Sequence, residues 1–508
     1  MSRITPIRFG LALPIVMMSQ AALADLTPAQ VWGDWRQYLE TMGYQISAGE
    51  TASGSDLTVS DITMSIDLPD NAGAMSMSMG SLSFVQNGDG SVEVVFPQDL
   101  PFAIEVAEQG DKQLSMSFVY GHSGHSLMVS GSPEEMTYDH TADSFSLTLT
   151  GLQVEDEDFG EENAKVRMQG TGLSSNTVMT VSDKRSYQQT GQLQNLSYDI
   201  AVKDPKQEGT FSIIGSVADL AFDGGGDIPM TITDASDMSA MMKAGFAVAG
   251  GFTYGAGNSQ TNVTDPQNGN FAATTSTSGG TLGVEMSADK LAYQGQQNDL
   301  KMNVQVAELP FPIDISMAQG AFNLAMPVSK SDDPQDFAFG ITMADFVMSD
   351  MIWSIFDPAS QLPRDPATIK LDLSGQAKLD IDIMDPDAAA QMAGSAPGEL
   401  RSLSISEVLV DAVGARLAGT GDVTFDNTDM TTFPGMPKPV GAVNLSLAGA
   451  NGLMDKLVAM GLLPEEQAMG ARMMMGLFAV PGDAPDTLKS TVEFTQDGQV
   501  LANGQRIK

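Results

Sequence analysis

Three histidines hold most of the side-chain chemistry this sequence can offer. His122 and His125 stand in Gly-His-Ser-Gly-His, and His140 follows Asp139. A His-x-x-His pair with a third imidazole is a donor set that zinc or copper accepts. The flanking glycines favour a polar loop, and such spacing alone is a weak metal signal. Ser123 adjoins His122, but no Gly-x-Ser-x-Gly elbow accompanies it, so the sequence gives no support to a serine hydrolase. Methionine thioethers at Met75, Met77 and Met79, and at Met473 to Met475, are possible copper donors. The first three share one strand face and the last three point around a helix, which fits core filling. The acidic run 155–162 matches a calcium loop only loosely and reads as a solvated turn. Two aspartate-proline pairs fix the loop after Trp353, and there Arg364 is a cation in a very acidic chain. A local ion pair with Asp357 or Asp365 is its expected role, and an anionic contact the alternative. No phosphate-binding glycine loop, His-Glu-x-x-His or dinucleotide fingerprint is present. No catalytic residue and no cofactor is therefore expected.

Charge bounds the partners. Among 508 residues, 25 Lys and Arg face 64 Asp and Glu, a net −39. Such a surface repels nucleic acid and anionic headgroups. Residues 1–24 have the form of a secretory signal: Arg3 and Arg8, an apolar run, then Ala22-Leu23-Ala24 as a cleavage site. A periplasmic location follows as an expectation, with no transmembrane segment after cleavage, because no later run reaches about 18 apolar residues. The chain has no cysteine, so its core must hold it without disulfides.

The elements that would position these side chains are mostly strands. The exception comes first, an amphipathic helix within 25–45. Thr27 caps it, Pro28 opens it, and Gln30 completes a capping box. Val31, Trp35, Leu39 and Met42 share one face, and Trp32 and Trp35 are candidate partner contacts. From Asp56 onward apolar residues recur at every second position, the period of a strand with one dry face. A helix is expected from Ser236 to Val248. The stretch Leu100–Val106, LPFAIEV, is echoed by Leu309–Ile315, LPFPIDI, and the block 73–106 aligns without a gap on 282–315. That self-similarity predicts two tandem β-rich repeats, 46–255 and 256–508. Leu371 to Ile383 gives the cleanest one-sided strand, broken at Gly375. Two Met-rich helices, near 453–460 and from Glu465, precede a final hairpin at Asp497-Gly498.

The segments Trp353–Pro358, Leu362–Ala367 and Leu371–Gly375 and the Asp497-Gly498 hairpin resemble an exported, uncharacterised bacterial family, domain of unknown function 2125. The resemblance implies no activity and no site residues. A looser similarity is to AsmA-like envelope proteins, whose long curved sheets line an apolar groove.

These readings predict a mainly β protein (β-rich α+β) with long, curved antiparallel sheet and a few helices. The expected function is that of a soluble, non-catalytic envelope protein binding an apolar ligand, such as a lipid chain, on a long sheet face. The alternative is a structural or protein-binding envelope component. Trp32, Trp35, Trp353 and Arg364 are the candidate contacts.

Overall fold

The computed structural model describes residues 26–508 apart from 69–72, 109–110, 156, 204–208, 232–236, 389–391 and 393–395; the expected signal segment lies outside them. Its strands form one antiparallel sheet, in which most long strands pair with the next along the chain and shorter ones pair across a gap in sequence. Hairpin follows hairpin, so the one-sided hydrophobic pattern of each strand adds to that of the next. The first strand, Gln45–Ser53, pairs only with Asp56–Asp67, and the last, Gln505–Arg506, only with Val500–Ala502. Among the described residues the sheet is therefore open at both edges. The longest strands, Glu135–Val154, Lys184–Lys203 and Thr210–Pro229, have 20 residues each, or roughly 66 Å.

Several boundaries differ from the sequence reading. The Leu371–Ile383 strand is Ala367–Leu379, with register irregularities on both sides of Gly375. Ile383 instead donates its amide to Val328 O. The helix expected over 236–248 is Met238–Lys243. Gly245 adopts φ +103°, a conformation that stops the helix, and a strand, Ala247–Tyr254, follows. The loop around Trp353 begins as a helix, Asp350–Phe356. LPFAIEV lies inside the strand Asp99–Glu108, whereas LPFPIDI ends a turn and enters a strand only at Ile313. Leu82–Gln86 and Val92–Val95 form a hairpin, while the aligned residues 291–304 belong to the single strand Lys290–Val306. The two places therefore have different hairpin structure. The sheet runs on without interruption past residue 255, where Thr210–Pro229 pairs with both Ala247–Tyr254 and Gly257–Thr264.

A crease crosses the long strands. Asp219, Asp299 and Asp345 sit mid-strand with φ near +50°, and Gly172 with φ +67°. Aspartate tolerates this left-handed region better than most side chains. The pairs Leu193–Leu220 and Asn195–Ala218 bracket Asp219, and Asn298–Gln319 and Leu300–Met317 bracket Asp299. Between them, Ser278 interrupts a strand line and donates its hydroxyl to Asp299 Oδ2 at 2.7 Å. A helical residue inside a strand breaks the pleat's alternation, as a bulge does. The hydrophobic pattern compensates by skipping one position: Leu291 and Tyr293 precede Asp299, and Leu300, Met302 and Val304 follow it.

The core sits at one end. The N-terminal helix, Pro28–Thr41, packs on the sheet there, with both hydrogen bonds of its Thr27/Gln30 capping box formed. Leu26, Val31 and Trp32 are buried against Leu57, Phe84, Val94, Val129 and Met136. The helix is also pinned electrostatically. Arg185 Nη1 and Nη2 donate to Asp34 at 2.9 and 2.7 Å, and both side chains are buried.

An apolar sheet face open between two helical covers

Registers connect one face across the molecule. Leu127, His140, Ser175, Gly191, Phe222, Phe252, Leu282, Gly295, Phe322, Ile341, Leu371, Val408, Gly419, Leu445 and Ser490 are each the direct cross-strand partner of the next. Directly opposed residues lie on the same side of a sheet. At about 4.8 Å per strand spacing, this row spans roughly 67 Å. A parallel row runs through Val284, Tyr293, Leu324, Phe339 and Leu373.

At several places on this face a glycine stands opposite an aromatic residue, for a steric reason. A Cβ on Gly191 would overlap the Phe222 ring, and one on Gly375 the Phe337 ring. Each ring covers its neighbour's bare backbone, a close approach that only glycine permits.

Helices cover the two ends of this face and leave its middle bare. At one end Trp35 meets Phe84 edge-on, with ring centroids 5.4 Å apart, and Trp32 lies 6.1 Å from the same ring. At the other, Met474, Met475 and Phe478 of the helix Glu465–Phe478 face Leu417, Leu445, Leu447 and Leu488 across an apolar pocket of about 390 Å³. Between the covers Phe252, Leu282, Tyr293, Phe322, Phe339, Ile341, Ile369 and Val410 are exposed, Phe322 to 47%. Contiguous apolar patches of this kind mark interaction or ligand sites. A hollow of about 890 Å³ adjoins this stretch of sheet, bordered by Thr281, Gln294 and Asn323 as well as by Phe252, Leu282 and Phe322.

The histidines come together, on strands as well as the turn. His122 ends the strand Asp111–Ser123, His140 lies within Glu135–Val154, and His125 follows the turn at Gly124. The expected polar loop is thus a tight hairpin turn. Ring centroids are 4.6 Å apart for His122 and His125 and 4.9 Å for His125 and His140, and Phe96 lies 4.8 Å from His125. His122 Nε2 is 2.9 Å from Pro97 O, and His140 Nε2 is buried without a hydrogen-bond partner. Burial lowers the pKa of His125 to about 4, helped by the charges that His140 and His122 would carry. Burial lowers that of His140 as well, with His122 adding to it. His125 is therefore neutral at pH 7. Among the described residues no three His, Asp or Glu side chains converge in a geometry suited to a metal ion.

The other candidate contacts have partners within the chain. Trp32 is buried and donates its indole N–H to Glu50 Oε1 at 2.8 Å. Trp353 is buried, and the Arg364 guanidinium lies 5.7 Å from its ring centroid. Arg364 forms its ion pair with Asp350 rather than with the expected Asp357 or Asp365, and also bonds Ser360 Oγ and the Asp357 main-chain O. Asp357, fully buried, accepts the amides of Gln361 and Leu362 at 2.8 and 2.9 Å. This is a self-contained turn. Sequence reasoning missed the exposed outer row of the last long helix, Met469, Met473 and Leu477. Their four-residue spacing carried the signal, but the same period also describes a buried face.

Fold and face together define an open, single antiparallel sheet with an apolar side that helices cover at its ends. The chain belongs to the family described as an uncharacterised protein conserved in bacteria, DUF2125, whose sequence model matches residues 226–507. The matched span contains the exposed middle of the face and the C-terminal helices; the histidine cluster and N-terminal helix lie before it. No curated protein and no solved structure matches the chain.

Proposed function

We propose that this is an exported, non-catalytic envelope protein that holds the hydrocarbon part of a lipid on the open middle of its apolar sheet face. One observation carries the reading: from Phe222 to Leu445 the row holds only apolar residues and glycine, and it is bare over Phe252, Leu282, Phe322 and Ile341. Covering about 400 Å² of such surface is worth roughly 10 kcal/mol before association costs. The signal-like residues 1–24 support export, and the net charge of −39 favours recognition of the chain over recognition of an anionic headgroup.

A photoreactive amino acid in place of Phe322, with one in place of Gln294 on the polar face as control, tests the reading in cells. Lipid adducts at position 322 in clear excess over 294 are expected. Equal labelling, or adducts to protein only, would overturn it.

The second reading, a protein-binding envelope component, is favoured by the outward row of Met469, Met473 and Leu477. It expects protein adducts on that helix.

A further inference from the structure

The apolar row does not stop where the C-terminal helices begin. It passes from Val408 through Gly419 to Leu445, and Leu445 is part of the wall of the pocket beneath the helix Glu465–Phe478. Gly419 leaves the space that Leu445 fills: a Cβ there would stand 2.7 Å from Leu445 Cδ2. Ser446, Lys489 and Ser490 also border the pocket, but the surface turned into it is apolar, so an occupant finds no hydrogen bond there.

The helix above is held at its middle and at its C-terminal end. Arg472 bonds Asp455 and Asn451 of the preceding helix, Ala450–Ala459, and Asn451 is bonded in turn to Asp486. At the far end Ser490 donates its hydroxyl to Phe478 O. Between these points the helix meets the sheet through Met474, Met475 and Phe478. Ala468 is its one buried residue. Methionine is unbranched and adaptable, and suits a wall that must open and close around a flexible guest.

We infer that this pocket is a seat for the end of a single hydrocarbon chain, which enters from the open face along the Val408–Gly419–Leu445 row. Size supports a chain rather than a folded partner. An apolar cavity of ~150 Å³ binds one benzene ring, and the 390 Å³ here scales to about 15 carbon atoms. The inference rests on the lipid reading above and adds to it the place where the end of a chain is seated under a helix.

The probe is cis-parinaric acid, an 18-carbon fluorescent fatty acid, titrated into the full-length protein. Saturation near one equivalent is expected for the wild type. Met475→Trp fills the pocket and should weaken binding at least tenfold, whereas Phe322→Asp on the open face should leave most of it. Circular dichroism melting establishes that each variant is folded. Should Met475→Trp not fold, Leu488→Phe replaces it. An independent readout uses 13C-methyl-methionine protein with a nitroxide-labelled stearate. Met474 and Met475 methyl signals should broaden while that of Met351 stays sharp. Unchanged affinity in the pocket variants with loss in Phe322→Asp would overturn the seat and leave the open-face reading standing. No binding by the wild type would overturn both.

Discussion

Phe322 lies over Gly295 on the neighbouring strand, in a position where a Cβ on the glycine would stand 2.5 Å from Phe322 Cε1. The pair sits mid-row on the open face, so the ring shields backbone on one side and meets solvent on the other. Gly295→Ala forces the ring out of place. It should cost about 1–3 kcal/mol, the usual range for overpacking, read from urea unfolding midpoints.

The opposite expectation holds for Gly470 inside the helix Glu465–Phe478. A Cβ there meets no atom within 4 Å. Gly470→Ala should stabilise the protein by about 0.5–1 kcal/mol through helix propensity alone. The two alanine substitutions thus separate a glycine demanded by packing from one that is not.

Asp34 and Arg185 join the N-terminal helix to a strand 151 residues away. Tyr138 lies beside them, and burial, then the Asp34 charge, raise its pKa. Asp34→Asn leaves a buried guanidinium uncompensated and should cost about 3–5 kcal/mol. The double variant Asp34→Leu with Arg185→Met should recover most of that loss, because a buried pair is often matched by apolar replacements. Chemical denaturation of the three proteins provides the comparison.

The histidine cluster sets a pH dependence. The unfolded chain protonates His125 near 6.5, and the folded protein only near 4. Between those values the unfolded state binds more protons, so stability falls as pH falls from 6.5 towards 4 and is fully present above that window. His125→Phe should flatten this part of the stability curve. The His125 imidazole signal in NMR should titrate with a midpoint near 4.

Local structure was legible in the sequence where one strong signal governed it. The Thr27/Gln30 box marked the first helix, and period-two patterning marked the strands on either side of Asn87–Gly90. The Asp357–Arg364 turn followed from its proline-fixed geometry. What stayed hidden depends on long-range register. LPFAIEV and LPFPIDI share a one-sided β pattern, yet one is mid-strand and the other is reached from a turn. The skip in alternation at Asp299 was present in the sequence, but only its left-handed backbone explains why the pattern shifts there. Exposure of Phe322 and Ile341 was not readable at all, because a strand's dry side looks the same whether a helix covers it or not.

Native mass spectrometry of the full protein, purified from a bacterial cell without detergent, tests the central claim most directly. The account predicts a population carrying one or more lipid-sized masses, released by organic extraction and diminished in Phe322→Asp combined with Met475→Trp. A wild-type protein that is lipid-free in every preparation, and stays so when offered lipid, would contradict it.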